Sequence, residues 1–227
     1  MSEFTNTGVA VFLDLIMIVY TLWVISLGEL KSKLPIGIGI GLLAWLGLLH
    51  LGLSTKSLFP EDISGVAFLA IVIIAVGAVW ALLFFVTTIR SKLLALSQQQ
   101  LLLLQGIRVL FGANFLMQAS LGGLPLTFGI LDGWTHIAAG FFGLIAAFSF
   151  ATHTDEVRRA WFANIFGMAD ILIVASTLAL ILLPTITPHH AMMYAVFLPA
   201  PLWLWFHLVS IWKLLSKDHA TVQVQQA

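Results

Sequence analysis

Two ionisable residues of this chain stand where hydrocarbon should surround them. Arg108 lies within QQQLLLLQGIRVLFGANFLMQASL, residues 98–121, and Asp170 lies within the apolar run Trp161–Leu183. A charge at the centre of a bilayer costs at least about 2.5–3.5 kcal/mol, so each must face a partner or a wet cavity. At 1.5 Å per residue from the cytoplasmic ends of their helices, Arg108 is roughly 11 Å deep and Asp170 roughly 14 Å deep. Matched depth predicts an Arg108–Asp170 pair. Such a pair can be a proton or anion site that opens and closes, or a static lock between two helices. Gln105, Arg108 and Gly112 share one helical face, and Asn164 and Gly167 precede Asp170 on its own helix. Gln105, Asn164 or His207 is expected to complete the hydrogen bonds of this intramembrane polar centre. The glycines would let neighbouring helices approach closely.

His207 follows Pro199-Ala200-Pro201 in the last apolar run. Two prolines in mid-span withhold two backbone donors and free carbonyls near Ala195 and Phe197. In a membrane those carbonyls need a neighbour, a water or a ligand. The segment therefore reads as a kinked helix, either fixed or acting as a hinge whose histidine titrates near neutral pH.

A second polar group gathers toward the opposite face: Asp14, His50, Asp132 and His136, with His189 and His190 in the loop before the last run. Imidazoles and carboxylates suit zinc, copper or iron, so Asp14, His50, Asp132 and His136 form a candidate outer-face metal site. The alternative is ordinary interfacial histidines. Histidines could also ligate haem, but no helix carries two of them about two turns apart or more, as a stacked di-haem bundle would need. The sequence requires no cofactor. With no cysteine there are no thiolate ligands, no disulfides and no cysteine nucleophile. No buried lysine stands in the last run, as a retinal protein would need, and neither HExxH nor a Gly-rich phosphate loop occurs.

The elements that carry these residues follow from composition. Of 227 residues, 60% are hydrophobic and only 9% charged, against roughly 25% for a soluble domain. Most of the surface must therefore face lipid, the first partner of this chain. Ten basic and ten acidic residues cancel, leaving no basic field for nucleic acid. The N-terminus lacks the positive region of a cleaved signal peptide, so its apolar run is read as a mature helix. Seven runs approach the roughly 20 residues of a span: Gly8–Gly28, Leu34–Leu53, Ile63–Thr88, Leu101–Leu121, Trp134–Thr152, Trp161–Leu183 and Ala191–Trp212. Arg108 aside, Lys31, Lys33, Arg90, Lys92, Arg158, Arg159, Lys213 and Lys217 fall on one side of a seven-span arrangement and only Lys56 on the other. The positive-inside rule then puts the N-terminus outside and the C-terminus in the cytoplasm. The expected fold is an all-α, seven-transmembrane-helix bundle over residues 1–217, with a disordered cytoplasmic tail over 218–227.

Gly123-Leu124-Pro125, Gly133-Trp134 and Asn164-Ile165-Phe166-Gly167-Met168-Ala169-Asp170 have a spacing that resembles a group of uncharacterised bacterial multi-helix membrane proteins. The resemblance covers residues 105–176. It implies a multi-pass protein of the bacterial inner membrane, and an acid where this chain has His136. Three functions fit the residues. The leading one is a small-solute or proton-coupled transporter using the Arg108–Asp170 centre, with a small molecule or ion as its substrate. The others are a sensor whose kinked last helix moves, and an outer-face metal or haem enzyme. Short loops leave a sensor without an output domain. No broken-helix pair or inverted repeat is legible in support of transport.

Overall fold

The computed structural model describes residues 3–27 and 34–225, with side chains described over 5–27, 35–81 and 84–216. Lys31 and Lys33, two of the charges that set the expected orientation, lie outside the described residues. The chain is 82% helical, with no strand among the described residues. Ten α-helices run in order among the described residues: α1 Glu3–Ser26, α2 Leu34–Ser54, α3 Gly65–Phe85, α4 Thr87–Ala95, α5 Gln98–Leu103, α6 Arg108–Ser120, α7 Leu126–Thr152, α8 Glu156–Thr177, α9 Met193–Phe197 and α10 Pro199–Gln225. The last helix extends into the residues expected to form a disordered tail.

Among the described residues six stretches are long and apolar enough to cross a membrane: Thr5–Ser26, Pro35–Ser54, Gln98–Ser120, Leu126–Thr152, Glu156–Leu182 and Met193–Ser216. A shorter apolar helix, Gly65–Ala81, accompanies them. The distribution of polarity is the reverse of a soluble protein's. Phe12, Val19, Leu48, Ile74, Phe148 and Ile181 are each more than 60% exposed, while Asp14, Arg108, Asp132, Asn164 and Asp170 are buried. Water would penalise that outer surface, whereas lipid matches it. The chain is a multi-pass membrane protein.

Three of the crossing stretches are irregular. Between α5 and α6 the backbone tightens: Gln105, Gly106, Arg108, Val109 and Leu110 each donate to the carbonyl three residues back, at 2.9–3.3 Å. A 3₁₀ stretch in mid-helix is a common mark of a functional hinge. After α8, Leu178–Leu182 winds as a π-helical turn, and Leu183 N donates to Leu178 O at 2.9 Å. Gly65, at the start of α3, packs so close to this turn that a Cβ would strike the Ala179 carbonyl. Between α9 and α10, Leu198 leaves the helical region at φ −124°. Two spans, α5–α6 and α9–α10, are thus discontinuous, a pair that was not legible in the sequence. Gly106 and the Pro199-Ala200-Pro201 run lie at the breaks.

The α5 end is tied to α1. Ser97 Oγ accepts from Gln100 N at 3.1 Å and Gln100 Oε1 accepts from Ser97 N at 2.8 Å, a complete capping box. Gln100 Nε2 also donates to Val24 O and Leu27 O, carbonyls at the end of α1. At the centre of the bundle, α7 packs against α5, α6 and α8, while α10 lies against α8, α5 and α3. The α6–α7 contact is built on glycine. A Cβ at Gly112 would meet Gly133 O and Ile137, and one at Gly140 would meet Val109 N and Gly106 O. Backbones this close hold the α6 and α7 side chains in fixed register toward α8 and α10.

Candidate functional site

Arg108 opens α6, where the helix dipole disfavours a positive charge, so its stabilisation comes from other helices. Its Nη2 donates to Asp170 Oδ2 of α8, and its Nη1 donates to Gly167 O at 3.2 Å. The guanidinium also lies 5.0 Å from the Trp203 ring centroid, in cation–π contact. Arg108 and Asp170, the pair expected from depth, are therefore in contact.

Their surroundings extend in both directions. In one direction, toward Ser210 and the end of α10, Arg108 Nη1 lies 3.2 Å from His207 Nε2, and His207 Nδ1 lies 2.9 Å from Asn164 Oδ1. Asn164 Nδ2 donates to Ala160 O and to Ser210 Oγ, which leaves Oδ1 as the acceptor. His207 therefore carries its proton on Nδ1, and Nε2 accepts from Arg108. Gln98 Nε2 donates to Ser210 Oγ and closes this branch. Gln105 Nε2 reaches Trp203 O at 3.4 Å.

In the other direction the structure joins residues that the sequence reading kept apart. His136 Nδ1 lies 3.2 Å from Asp170 Oδ2 and 2.9 Å from Asp132 Oδ1. The polar column thus runs Gln98, Ser210, Asn164, His207, Arg108, Asp170, His136, Asp132, every member buried. It crosses from α5 through α10, α8 and α6 to α7. Arg108 divides it, because a guanidinium does not give up its proton. On its other side Asp170, His136 and Asp132 form a titratable cluster, both carboxylates lying at ion-pair distance from His136 Nδ1. The His207 branch is positional, fixing Arg108 through tautomer and geometry.

The expected outer-face metal site is not assembled. Among the described residues no group of three or more His, Cys, Asp or Glu side chains could hold a metal. Asp132 and His136 belong to the column, His50 Nδ1 pairs with Tyr194 OH at 2.6 Å, and Asp14 lies in a separate space with Asn114 and Gln118. The physical reason is helix length. The α7 helix starts at Leu126, right after Pro125, rather than near Trp134. Asp132 and His136 therefore lie about 9 and 15 Å along α7 instead of at its lip. His189 is buried in the loop before α9, and His190 Nε2 meets Gly123 O at 2.9 Å.

Beside the column is a cavity of about 410 Å³. Its walls are apolar residues of α3, α8, the π-turn, α9 and α10, among them Val76, Ile171, Leu178 and Val196. Asp132 and His136 also line it, as do Trp80 and Trp203, the latter packed edge-on against the His136 ring. Both Asp132 carboxylate oxygens, His136 Nδ1 and the indole N–H groups of Trp80 and Trp203 have no hydrogen-bond partner in the protein. Ile73 and Leu172 also line it and are more than half exposed, so the wall between α3 and α8 reaches the lipid side.

Sequence reasoning missed Ser210, Gln98 and Trp203. Trp203, His207 and Ser210 fall at i, i+4 and i+7 on α10, a stripe that could have been read with Asn164, Gly167 and Asp170 on α8. The carbonyl freed by Pro201 is accounted for: Trp45 Nε1 of α2 donates to Phe197 O at 2.8 Å.

Neither a curated protein nor a solved structure matches the chain. Residues 65–215 match the model of a domain of unknown function, DUF8737. That span holds the whole polar column and leaves α1 and α2, with Asp14 and His50, before it. The match covers well over half of the 227 residues, and the chain belongs to the DUF8737 family.

Proposed function

We propose that the chain is a seven-span, proton-coupled transporter of the bacterial cytoplasmic membrane, oriented with its N-terminus outside. Its solute is a small, mostly apolar molecule with one hydroxyl or amine group. The observation that carries the reading is the 410 Å³ cavity lined by Asp132 and His136, with His136 in contact with Asp170 of the Arg108 pair. The volume is in the range of small-molecule sites, and an apolar cavity with few convergent polar groups is their usual form. Asp132 Oδ2 would accept from the solute, and the indole N–H groups would donate to it. Asp170 Oδ2 accepts from Arg108 and lies 3.2 Å from His136 Nδ1, so neutralising Asp132 by solute or proton would let His136 turn wholly toward Asp170 and compete with Arg108 there. Arg108 in turn holds Gly167 O on α8 and His207 on α10. Discontinuous helices at the site are a recurrent feature of secondary transporters, because they let parts of a span move separately.

Gly77 gives a direct test. It lines the cavity, and a Cβ built on it meets nothing within 4 Å. Gly77→Trp should fold normally and fill the space. In proteoliposomes holding a pH-sensitive dye, a panel of small alcohols, phenols and amines should include one that moves protons with the wild type and falls to background with Gly77→Trp. Asp132→Asn should still bind that compound, read by tryptophan fluorescence, but should not move protons. Equal proton movement by wild type and Gly77→Trp would end this reading.

The orientation is tested separately. Reporter fusions after Ser32 and after Asp62 should show opposite sidedness, because the basic residues favour the cytoplasm. Matching sidedness would remove the seven-span arrangement.

A further inference from the structure

The α1 helix carries a buried carboxylate that the polar column does not use. Asp14 is fully buried, and neither carboxylate oxygen has a hydrogen-bond partner in the protein. Asn6, Ala10 and Asp14 are spaced i, i+4 and i+8 on one face of α1, and Asn114 and Gln118 are spaced i and i+4 on α6. Asp14, Asn114 and Gln118 together line a small space of about 10 Å³, close to the size of one water. All three are buried, and Asn114 Oδ1 and both terminal atoms of Gln118 also lack partners. Ala195 lines the same space. Its carbonyl cannot be bonded by the residue four positions on, because that residue is Pro199.

We propose that Asp14, Asn114 and Gln118, with the Ala195 carbonyl, form a binding site for one sodium ion. A buried carboxylate is tolerated when its charge is compensated, and no basic side chain contacts this one among the described residues. Its available neighbours are amide and peptide oxygens, which suit a hard cation rather than a transition metal. One carboxylate neutralises one positive charge. A divalent ion would leave net charge in low dielectric and would call for six or more oxygens. The space admits an occupant of water size, which favours sodium over potassium. Phe115, Met192 and Ala195 line both this space and the large cavity, so one layer of protein separates the two. Broken-helix carbonyls serve sodium in the same way in secondary transporters. The site stands without the transport reading, since its occupancy needs no solute.

The test is the melting temperature of the full-length, detergent-purified protein in choline chloride, titrated with NaCl or KCl at constant ionic strength. Sodium should raise it by several degrees along a saturating curve, while potassium should not. Asp14→Asn should remain monodisperse and lose the sodium response, and Gln118→Leu should weaken it. Equal responses to sodium and potassium would overturn the site. So would a wild type that ignores sodium and is stabilised by acidification instead, because Asp14 would then be a protonated acid. An Asp14→Asn protein that keeps the sodium response would overturn it as well.

Discussion

Asp170→Asn should lower the melting temperature of the purified protein more than Asp170→Asn combined with Arg108→Gln. Removing one member of a buried ion pair leaves the other uncompensated and costs about 3–5 kcal/mol. For a chain of this size that is on the order of 10 °C. Arg108 is fully buried, its Nε has no partner, and its remaining supports are Gly167 O, His207 Nε2 and the Trp203 face. None of these carries a negative charge. In the double variant a neutral amide replaces the guanidinium, so the unpaired charge disappears with its partner. The double should therefore be less unstable than Asp170→Asn alone, by an interaction energy of about 1–3 kcal/mol. Simple additivity of the two substitutions would show that the contact contributes nothing as a pair. The solute assay separates two roles for a coupled pair. A pair that is coupled in stability, while both variants retain proton movement, is a lock, and the transport reading then rests on Asp132 and His136 alone.

The pairing was legible because it follows from the cost of charge in hydrocarbon and from a count of residues. Arg108 and Asp170 are the ionisable groups of their spans, and depth alone brought them together. The Phe197 carbonyl was legible for a similar reason. Pro201 withholds its donor, a membrane offers no water, and a neighbour had to supply one, which is Trp45. What was not legible is rotation and register. Helices such as α2 and α3 are apolar on all sides, so composition reports that they span but not which face packs. Trp134 suggested a membrane boundary, yet α7 begins eight residues earlier, and that shift moved Asp132 and His136 from an imagined outer site into the column. The π-turn after α8 has no Pro or Gly within it to announce it. It follows from contact with α3, where Gly65 admits the Ala179 carbonyl. The stripe of Trp203, His207 and Ser210 was present in the sequence, but its significance depends on facing Asn164, which only packing reveals.

Gly167→Ala should be far more damaging than its size suggests, and His207→Ala should relieve it. A methyl at residue 167 would fall on His207 Nε2 and Cε1 and lie 3.2 Å from Arg108 Nη1. Ring atoms at the end of a side chain can usually move away cheaply. Here both neighbours are fixed: His207 is held by Asn164 Oδ1 at 2.9 Å, and Arg108 is held by Asp170 and by Gly167 O. Displacing the ring gives up the Asn164 contact and the acceptor for Arg108 Nη1 together. Each unsatisfied buried group costs about 1–3 kcal/mol, so the substitution should cost about 2–4 kcal/mol. His207→Ala alone should also destabilise, since it leaves Asn164 Oδ1 and one Arg108 N–H unpaired. In the double variant the methyl at residue 167 enters space that the ring has vacated. The combined loss should then be smaller than the sum by more than about 1 kcal/mol. Thermal melts of the four proteins in one detergent measure this. If Gly167→Ala is neutral, the α8–α10 contact has slack, and His207 does not hold Arg108 in place.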